Sequence, residues 1–371
     1  MKAIQMVDLQ GQYQRIKSEI DLAVHQVLDE ARFINGPQVS LFQQELSLYT
    51  GSKHVVTCGN GTDALQIALM ALGLQPGDEV ITVPFTFVAT VEVITLLGIK
   101  PVFVDVRRDT FNMDVDQLES VLTERTRAIL PVHLFGQCAD MEKILAFARK
   151  HDLYVIEDAC QAIGATVRFS DGTVKQAGTM GHVGCTSFFP SKNLGCYGDG
   201  GAIFVQDDEL AARIRQIATH GSSMKYHHQR IGVNSRLDTL QAAILSVKLK
   251  HLNDFIAARR EAAAFYDDAL QNHPSVERPA TADFSSHVYH QYTLKCMNGC
   301  REKLMESLKS AGIASAIYYP IPLHLQEAYA YLGYHKGDFP VSEALASCVL
   351  SLPMHTELDE NQLKYIVAHL K

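Results

Sequence analysis

Apolar and polar residues alternate along the first two thirds of the chain in a way that predicts strands and helices in turn. Between about residues 54 and 204, short apolar runs are separated by longer stretches with apolar residues at helical spacing. This alternation predicts a mostly parallel sheet with right-handed crossovers and helices on its faces. The predicted strands are His54–Thr57, Glu79–Thr82, Pro101–Val104, Arg127–His133, Tyr154–Glu157, Cys185–Phe188 and Ala202–Val205.

The same patterns predict the elements around this sheet. The predicted helices are Gln10–Arg32, Val39–Tyr49, Thr62–Leu72, Phe87–Leu97, Asp116–Leu122, Met141–His151, Glu209–His220, Arg236–Leu270, Arg301–Ala311 and Glu360–Leu370. A further strand is predicted over Val288–Cys296, and the polar segment Gly221–Arg230 is predicted to be a functional loop. Because 371 residues exceed one typical core, we expect a large domain over residues 1–250, including the N-terminal helices, and a smaller C-terminal domain over residues 251–371.

Composition narrows the class of protein. A hydrophobic fraction of 47% with 20% charged residues is typical of a globular enzyme, and a net charge of -8 argues against a nucleic-acid binder. No run approaches the roughly 20 apolar residues of a membrane helix, and the first residues lack the pattern of an export signal. The eight cysteines show no CxxC pair or metal spacing, which fits reduced thiols in a cytoplasmic protein.

One lysine stands out inside an apolar, glycine-punctuated segment, Thr186–Gly201. Lys192 lies between an aromatic run and a flexible turn, so we expect its amine to be partly desolvated. Desolvation lowers the pKa of an ammonium group toward the range where the amine is a nucleophile that can form a Schiff base. Taken alone, the pattern also fits a surface lysine at the end of a strand, which is the commoner case.

An acid upstream fits the same chemistry. The run Leu153-Tyr-Val-Ile-Glu-Asp158 predicts a buried parallel strand that delivers Asp158 at its carboxyl end. Ligands of open α/β sheets bind at that end, where a carboxylate can pair with a cationic ring nitrogen. Pyridoxal phosphate (PLP) needs such a lysine and such an acid. By itself, Asp158 also fits a helix N-cap.

A third segment fits the phosphate of this cofactor. The stretch Thr57-Cys-Gly-Asn-Gly-Thr62 joins an apolar strand to a helix that starts near Thr62. Small residues and free amides at a helix N-terminus form an anion site. The stretch lacks the lysine of a Walker loop and the spacing of GxGxxG, and alone it also fits an ordinary βα turn.

Five short motifs follow one another along the chain and carry a resemblance to a known enzyme group. They are Asn60-Gly-Thr-Asp-Ala64, Pro84-Phe-Thr-Phe-Val-Ala-Thr90, Glu157-Asp-Ala-Cys-Gln161, Ser187-Phe-Phe-Pro-Ser-Lys192 with Gly198-Asp-Gly-Gly201, and Gly232-Val-Asn-Ser-Arg236. In this order, from about residue 30 to the end, the chain resembles the fold-type I PLP aminotransferases, and among them the sugar aminotransferases of the DegT family. The resemblance implies a mostly parallel seven-stranded sheet flanked by helices, with a smaller α+β C-terminal domain.

The resemblance also implies roles for single residues. Lys192 would bind PLP covalently and move the proton as base and acid, while Asp158 would keep the ring nitrogen protonated. Phe87 would stack on the ring and Gln161 would bond its hydroxyl, although Phe87 by pattern alone also fits a helix staple. The other implied cofactor contacts are Gly61, Thr62, Asp63, Ser187 and Asn234. Asn234 would come from the neighbouring subunit of a homodimer, so that the active sites are shared.

The implied reaction moves an amino group from glutamate to a nucleotide-linked keto sugar. Lys192 stands where related sugar dehydratases carry histidine, which favours amine transfer over deoxygenation. The segment from Tyr226 to Arg236 is most similar to enzymes that aminate C3 of UDP-2-acetamido-2-deoxy-3-keto-glucuronic acid for surface polysaccharide, including lipopolysaccharide, biosynthesis. Arg230 would then bind the uronate carboxylate with its guanidinium fork.

Other polar residues are candidates for substrate contacts, and several alternatives stay open. The candidates besides Arg230 are Asn35, His133, His228, Tyr318 and His324. A locally satisfied imidazole at His133 and a packed tyrosine cluster around Tyr318 are the structural alternatives. Arg230 also fits the diphosphate or the glutamate carboxylate.

Two further hypotheses concern the substrate and the class of protein. The sugar could be a neutral 3-keto- or 4-keto-6-deoxy sugar linked to dTDP or UDP. The protein could instead be a non-catalytic regulator that binds PLP. No metal is expected, because His220, His227 and His228 have no carboxylate or cysteine at ligand spacing.

Overall fold

The computed structural model describes residues 3–224 and 226–371; Met1, Lys2 and Lys225 lie outside the described part. The strands are β1 (His54–Cys58), β2 (Glu79–Thr82), β3 (Lys100–Phe103), β4 (Thr126–Ile129), β5 (Tyr154–Asp158), β6 (Thr166–Arg168), β7 (Val174–Gln176), β8 (Val183–Ser187), β9 (Gly201–Val205), β10 (Ser222–Met224), β11 (His227–His228), β12 (Val276–Glu277), β13 (Tyr292–Cys296) and β14 (Val349–Leu352).

The helices cover both the N-terminal segment and the crossovers between strands. The α-helices are α1 (Leu9–Arg15), α2 (Lys17–Glu30), α3 (Pro37–Thr50), α4 (Gly61–Leu72), α5 (Ala89–Leu96), α6 (Leu118–Val121), α7 (Met141–Lys150), α8 (Asp208–Ala218), α9 (Thr239–Lys250), α10 (Leu252–Ala269), α11 (Arg301–Ser310), α12 (Pro340–Cys348) and α13 (Glu360–Ala368). Short 3-10 helices cover Val115–Gln117, Leu134–Gly136, Leu323–Leu325 and Glu327–Leu332.

Seven strands form the central sheet in the order β1-β9-β8-β5-β4-β2-β3. Strand β9 is antiparallel to both of its neighbours, and all other pairs in this sheet are parallel. The predicted mostly parallel, seven-stranded sheet is therefore confirmed. Because the parallel strands point the same way, the carboxyl ends of β5 and β8 meet at one edge, where α/β proteins bind their ligands.

Two hydrophobic clusters cover the two faces of this sheet. Neighbouring residues of one strand belong to different clusters, as Ile81 and Val80 do in β2 and Val155 and Ile156 do in β5. Side chains of a strand alternate between faces, so a sheet covered by helices on both sides is apolar at successive positions. This explains why the strands read as continuous apolar runs in the sequence.

The C-terminal part of the chain has a small sheet of its own. Strands β12, β13 and β14 pair in that order, and a third cluster combines Ile4 with residues of α10, β13, β14 and α13. The segment around Leu323 and Phe339, however, packs on Val91 and Phe103 of the large sheet region. The division into residues 1–250 and 251–371 therefore remains a prediction.

Several predicted elements differ from the observed ones for local reasons. The strand predicted over residues 127–133 ends at Ile129, and Pro131 has no N–H with which to continue the ladder. The strand predicted from Val288 begins only at Tyr292, because Tyr289 adopts a left-handed conformation with φ 46°. The long helix predicted over residues 236–270 is two helices that meet at His251.

The segment predicted to be a loop contains a short hairpin. Strands β10 and β11 pair antiparallel, with Ser222 opposite His228 and Met224 opposite His227. The prediction of an irregular loop is thus wrong for these residues, although the hairpin is exposed as expected. Within residues 3–224 and 226–371, no helix combines the length and apolar character needed to cross a bilayer.

A fully buried carboxylate anchors the end of β5. Glu157 Oε1 accepts hydrogen bonds from the amides of Met180 and Gly181, both at 2.6 Å. Its Oε2 accepts from the Gly178 amide and from His133 Nε2, both at 2.8 Å. Four donors satisfy an ionised carboxylate completely, so this group ties the loop before β8 to the core.

We expect Glu157→Gln to lower the free energy of unfolding by about 2–4 kcal/mol, because its amide N–H would face buried N–H donors. Denaturation by urea, followed by circular dichroism, measures this change. Glu119→Gln is the matched control, since Glu119 forms an exposed ion pair with Lys150 at 3.2 Å; its midpoint should not move. Equal midpoints for both variants would contradict the anchoring role of Glu157.

Candidate active site

A cavity of about 760 Å³ opens at the carboxyl ends of β5 and β8, beside the first turn of α4. The predicted site residues that line it are Gly61, Thr62, Asp63, Phe87, Asp158, Gln161, Ser187, Lys192 and Tyr318. These residues come from five separate segments of the chain. The sheet edge therefore brings together the lysine, the acid and the glycine-rich turn singled out in the sequence.

The carboxylate of Asp158 is held in one orientation. Its Oδ2 accepts a hydrogen bond from Thr90 Oγ1 at 2.8 Å, and its Oδ1 accepts from the Cys160 amide at 3.2 Å. Thr90 in turn lies 3.0 Å from Thr86 Oγ1. A carboxylate fixed in this way, 6% exposed at the cavity wall, can form a charge-assisted bond with a protonated ring nitrogen.

Lys192 enters the cavity from the loop after β8. Its amide donates to the Phe189 carbonyl at 2.8 Å, and the next side chain, Asn193, donates to the Val288 carbonyl at 2.9 Å. Burial lowers the pKa of the Lys192 amine below its usual 10.5, and this effect outweighs the opposing charges of Cys160 and Asp158. A lowered pKa leaves more of the amine unprotonated and nucleophilic near neutral pH.

The first turn of α4 offers an anion cradle. Within the described residues, the amides of Gly61 and Thr62 donate to no protein acceptor, whereas the Asp63 amide donates to Asn60 Oδ1 at 2.8 Å. A Cβ atom at Gly61 would lie 2.7 Å from Ser187 Cβ and 2.9 Å from Cys160 Sγ. Only glycine fits there, and two open amides at a helix N-terminus suit a phosphate group.

Gln161 is oriented by its hydrogen bonds. Its Oε1 accepts from the Phe135 amide at 2.8 Å, and its Nε2 donates to the Tyr319 hydroxyl at 3.1 Å. The Tyr319 ring lies 6.3 Å from the Phe87 ring, centroid to centroid. Gln161, Tyr319 and Phe87 thus line the cavity together.

The residues present fit PLP. Lys192 supplies an amine for covalent attachment, Asp158 a partner for the ring nitrogen, and the start of α4 with Ser187 a cradle for the phosphate. Phe87 and Gln161 border the space between them. The Asp63 amide donates to Asn60 Oδ1 and its Oδ2 accepts from Ser235 Oγ at 2.6 Å, so its contact with the cofactor stays a prediction.

Two predicted substrate contacts lie away from the cavity. His133 is fully buried, its Nε2 donating to Glu157 and its Nδ1 accepting from the Ala139 amide at 3.2 Å. The His324 side chain is enclosed, with Nε2 3.1 Å from Glu343 Oε1. Both side chains are 0% exposed and neither lines the cavity, so both predictions are corrected: these histidines hold the fold together.

Four other predicted residues lie outside the cavity of this chain. Asn35 borders a second cavity of about 410 Å³, together with Arg215 and Arg236. Arg230 is exposed beyond β11 and its Nε donates to Gln216 at 3.1 Å. His228 and Asn234 are exposed as well. Contacts of these residues with substrate or cofactor remain predictions.

The cavity also contains residues that the sequence did not single out. They include Phe135, His290 and Gln291. His290 and Gln291 stand immediately before β13, more than ninety positions after Lys192. No local pattern marks such residues, because long-range packing alone brings them to the cavity.

Comparison with known proteins agrees with this site. Residues 14–371 match the DegT/DnrJ/EryC1/StrS aminotransferase family. The chain is 50% identical over 367 residues to the UDP-2-acetamido-2-deoxy-3-oxo-D-glucuronate aminotransferase of Pseudomonas aeruginosa, with 99% of both chains covered. It is 49% identical over 366 residues to the Pleiotropic regulatory protein of Geobacillus stearothermophilus, covering 98% of this chain and 96% of that protein.

A solved structure supports the same assignment. The structure of NtdA from Bacillus subtilis with bound cofactor PMP matches with a TM-score of 0.91 and 32% identity, covering 100% of this chain and 85% of that one. The resemblance predicted from the five motifs is therefore confirmed. The chain belongs to the DegT/DnrJ/EryC1/StrS aminotransferase family and is a PLP-dependent aminotransferase.

Proposed function

We propose that the protein transfers the amino group of glutamate to C3 of UDP-2-acetamido-2-deoxy-3-keto-glucuronic acid, for surface polysaccharide biosynthesis. The observation that carries this proposal is the meeting of Lys192 and Asp158 in one cavity of a chain half identical to a Pseudomonas aeruginosa enzyme named for this type of sugar. The eight free cysteines fit a reducing compartment, which supports the cytoplasm as its location.

The residues of the cavity divide the chemistry between them. PLP, when bound, supplies an electron sink for the carbon that loses a proton. Lys192 Nζ takes that proton from the amino-bearing carbon and returns one later, which its lowered pKa favours. Asp158, fixed by Thr90, stabilises positive charge at the ring nitrogen. The apolar walls around Phe87 and Phe135 limit access of water.

The charge of the cavity supports a shared active site. Its lining contains the carboxylates of Asp63, Asp158 and Asp199, but within the described residues Lys192 is the single lysine or arginine. The cofactor phosphate, the nucleotide diphosphate and the two acidic substrates require more positive charge than this. We propose that Arg230, with His228 and Asn234, reaches the cavity of a partner subunit in a homodimer, and that Asn35 contributes near the sugar.

The exposed surface around these residues is compatible with such an interface. Ile231 is 85% exposed, and the nearby Met224 and Tyr226, in the hairpin segment, are exposed as well. Large apolar side chains exposed to this degree lower the free energy of association when a second copy covers them. The homodimer therefore explains both the missing positive charge and the exposed apolar residues.

A regulatory role is the second candidate, because the Geobacillus stearothermophilus relative bears the name Pleiotropic regulatory protein. A lysine and an acid in one cavity favour turnover. Addition of glutamate to the PLP-loaded protein distinguishes the two candidate functions. A visible absorbance band that bleaches supports amino transfer, and an unchanged band supports PLP binding alone.

We expect Lys192→Ala to fold normally but to lose both covalent PLP attachment and turnover, because Lys192 is the amine that serves both steps. Borohydride reduction followed by mass spectrometry measures the attachment, and coupled turnover with glutamate measures activity. Lys143→Ala is the control, since Lys143 is an exposed lysine paired with Asp140. Near-normal turnover of Lys192→Ala would overturn the assignment of the catalytic amine.

A mixing experiment tests the shared site. Lys192→Ala and Asn234→Ala are each expected to be inactive alone, but co-expressed chains should regain about one quarter of wild-type activity. Mixed dimers would contain one intact site, built from Lys192 of one chain and Asn234 of the other. A co-expressed mixture without activity would mean that each site is formed by one chain.

We expect Arg230→Ala to lower kcat/KM for the acidic sugar by about 10- to 100-fold, as the loss of a charge-assisted bond implies. Turnover of the matching neutral sugar should change far less. Arg127→Ala is the control, because Arg127 is an exposed arginine that lies near Asp78 at the far end of β4. Equal losses with both sugars would contradict the proposal that Arg230 binds the uronate carboxylate.

A further inference from the structure

A buried imidazole borders the cavity and has no part in the chemistry described above. His290 is 5% exposed and lines the cavity together with Lys192 and Asp158. It belongs to the segment Val288–Gln291, which leads into β13. Burial of a polar group without a partner is unfavourable, so a polar side chain in such a position is expected to have a binding role.

The segment around His290 is clamped against the rest of the site. The Val288 amide donates to the Gly136 carbonyl at 2.9 Å, and Asn193 donates to the Val288 carbonyl at 2.9 Å. Arg259 Nη1 donates to the His290 carbonyl at 3.4 Å and to the Tyr289 carbonyl at 3.2 Å. Because Asn193 follows Lys192 directly, the histidine and the lysine are held by the same hydrogen-bond network.

The backbone before His290 is strained. Tyr289 has φ 46°, in the left-handed region that bulky residues rarely adopt, and its ring stacks on His287 at 4.0 Å. Such strain persists only where the surroundings enforce it, and it is concentrated at functional sites. The turn at Tyr289 ends the extended backbone and sets His290 at the cavity wall.

The protonation state of His290 follows from its surroundings. Burial, with the positive charges of Lys192 and Arg259, holds the pKa of His290 well below 6.5, so its ring is neutral near pH 7 and carries one N–H. Its Nδ1 is enclosed and finds no hydrogen-bond partner within the described residues. A proton on Nδ1 would be a buried donor without an acceptor, so the proton belongs on Nε2.

We propose that His290 is a substrate-binding residue that donates one hydrogen bond from Nε2–H to an oxygen of the molecule reacting beside Lys192. The acceptor is either the carboxylate of the amino donor or an oxygen of the keto sugar. Both offer the lone pairs that a neutral N–H needs, and each enters in a separate half-reaction. The inference rests on the two-substrate reaction proposed above.

Single-turnover kinetics of the two half-reactions test this role in three variants. His290→Leu removes the donor, His290→Gln keeps an N–H at similar reach, and His287→Gln is the matched control. His287 is buried directly before this segment, and its Nδ1 accepts from the Tyr289 amide at 2.9 Å. Thermal midpoints and PLP content, measured for each variant, establish that the proteins compared are folded and loaded.

We expect His290→Leu to slow one half-reaction by about 10- to 100-fold if the acceptor is a carboxylate, and by about 3- to 10-fold if it is a neutral sugar oxygen. Loss in the glutamate half-reaction assigns the acceptor to the amino donor, and loss in the other assigns it to the sugar. His290→Gln should recover most of the rate. Unchanged rates in both half-reactions, or equal losses in the Leu and Gln variants, would overturn the proposal.

A spectroscopic measurement on the protein without substrate is independent of turnover. Nitrogen-15 NMR of histidine-labelled protein, with His290→Gln to assign the signal, should show a neutral ring protonated at Nε2 between pH 6 and 9. A proton on Nδ1 or a charged ring at pH 7 would overturn the proposal. If wild-type protein fails to react with glutamate, the proposed donor is wrong, and this measurement still decides the state of His290.

Discussion

The end of strand β5 is the constraint on which the site depends. Glu157 and Asp158 follow one another, so their side chains leave the strand on opposite faces. Glu157 accepts from four donors and Asp158 from two. Because the two residues share a peptide, the hydrogen bonds of Glu157 fix the backbone from which the Asp158 side chain leaves. The backbone of Asp158 is thus anchored by its neighbour, and its carboxylate by Thr90 and the Cys160 amide.

Rigid and exposed parts of the chain contribute different groups to the proposed reaction. The amine, the acid and the anion cradle lie on elements packed between two hydrophobic clusters. Arg230 and Asn234, proposed to supply polar and positive groups to a partner, lie on an exposed segment. A geometry that must be held to a fraction of an ångström is built on the core, while groups that select a substrate can vary on the surface.

Much of the fold could be predicted because its strands are buried on both faces. Strand β2 has the predicted bounds, Glu79–Thr82, since its short β-branched run lies between the turn residues Gly77-Asp78 and Pro84. Lys192 and Asp158 could be predicted as site residues because each is a charged residue within or at the end of an apolar run. The break at His251 could not, since no glycine or proline marks it. A helical period continues across such a break unchanged.

The roles of the buried histidines could not be predicted from local sequence patterns. His133 follows a strand as a substrate ligand would, yet its partner Glu157 is distant in the sequence. His290 carries no signal at all, because its neighbours at the cavity come from other segments. Which polar group meets which is decided by tertiary packing, and hydrophobic periodicity contains no information about it.

The clamp at Arg259 has a consequence for the response of the protein to acid. Its Nη1 donates to three carbonyl oxygens, those of Tyr289, His290 and Met354, and no ion pair with a carboxylate is found for it among residues 3–224 and 226–371. Carbonyl oxygens do not titrate as the medium is acidified, unlike the carboxylates in ion pairs. The hydrogen bonds from Arg259 therefore keep their acceptors when the pH falls, unlike the carboxylate contacts elsewhere in the molecule.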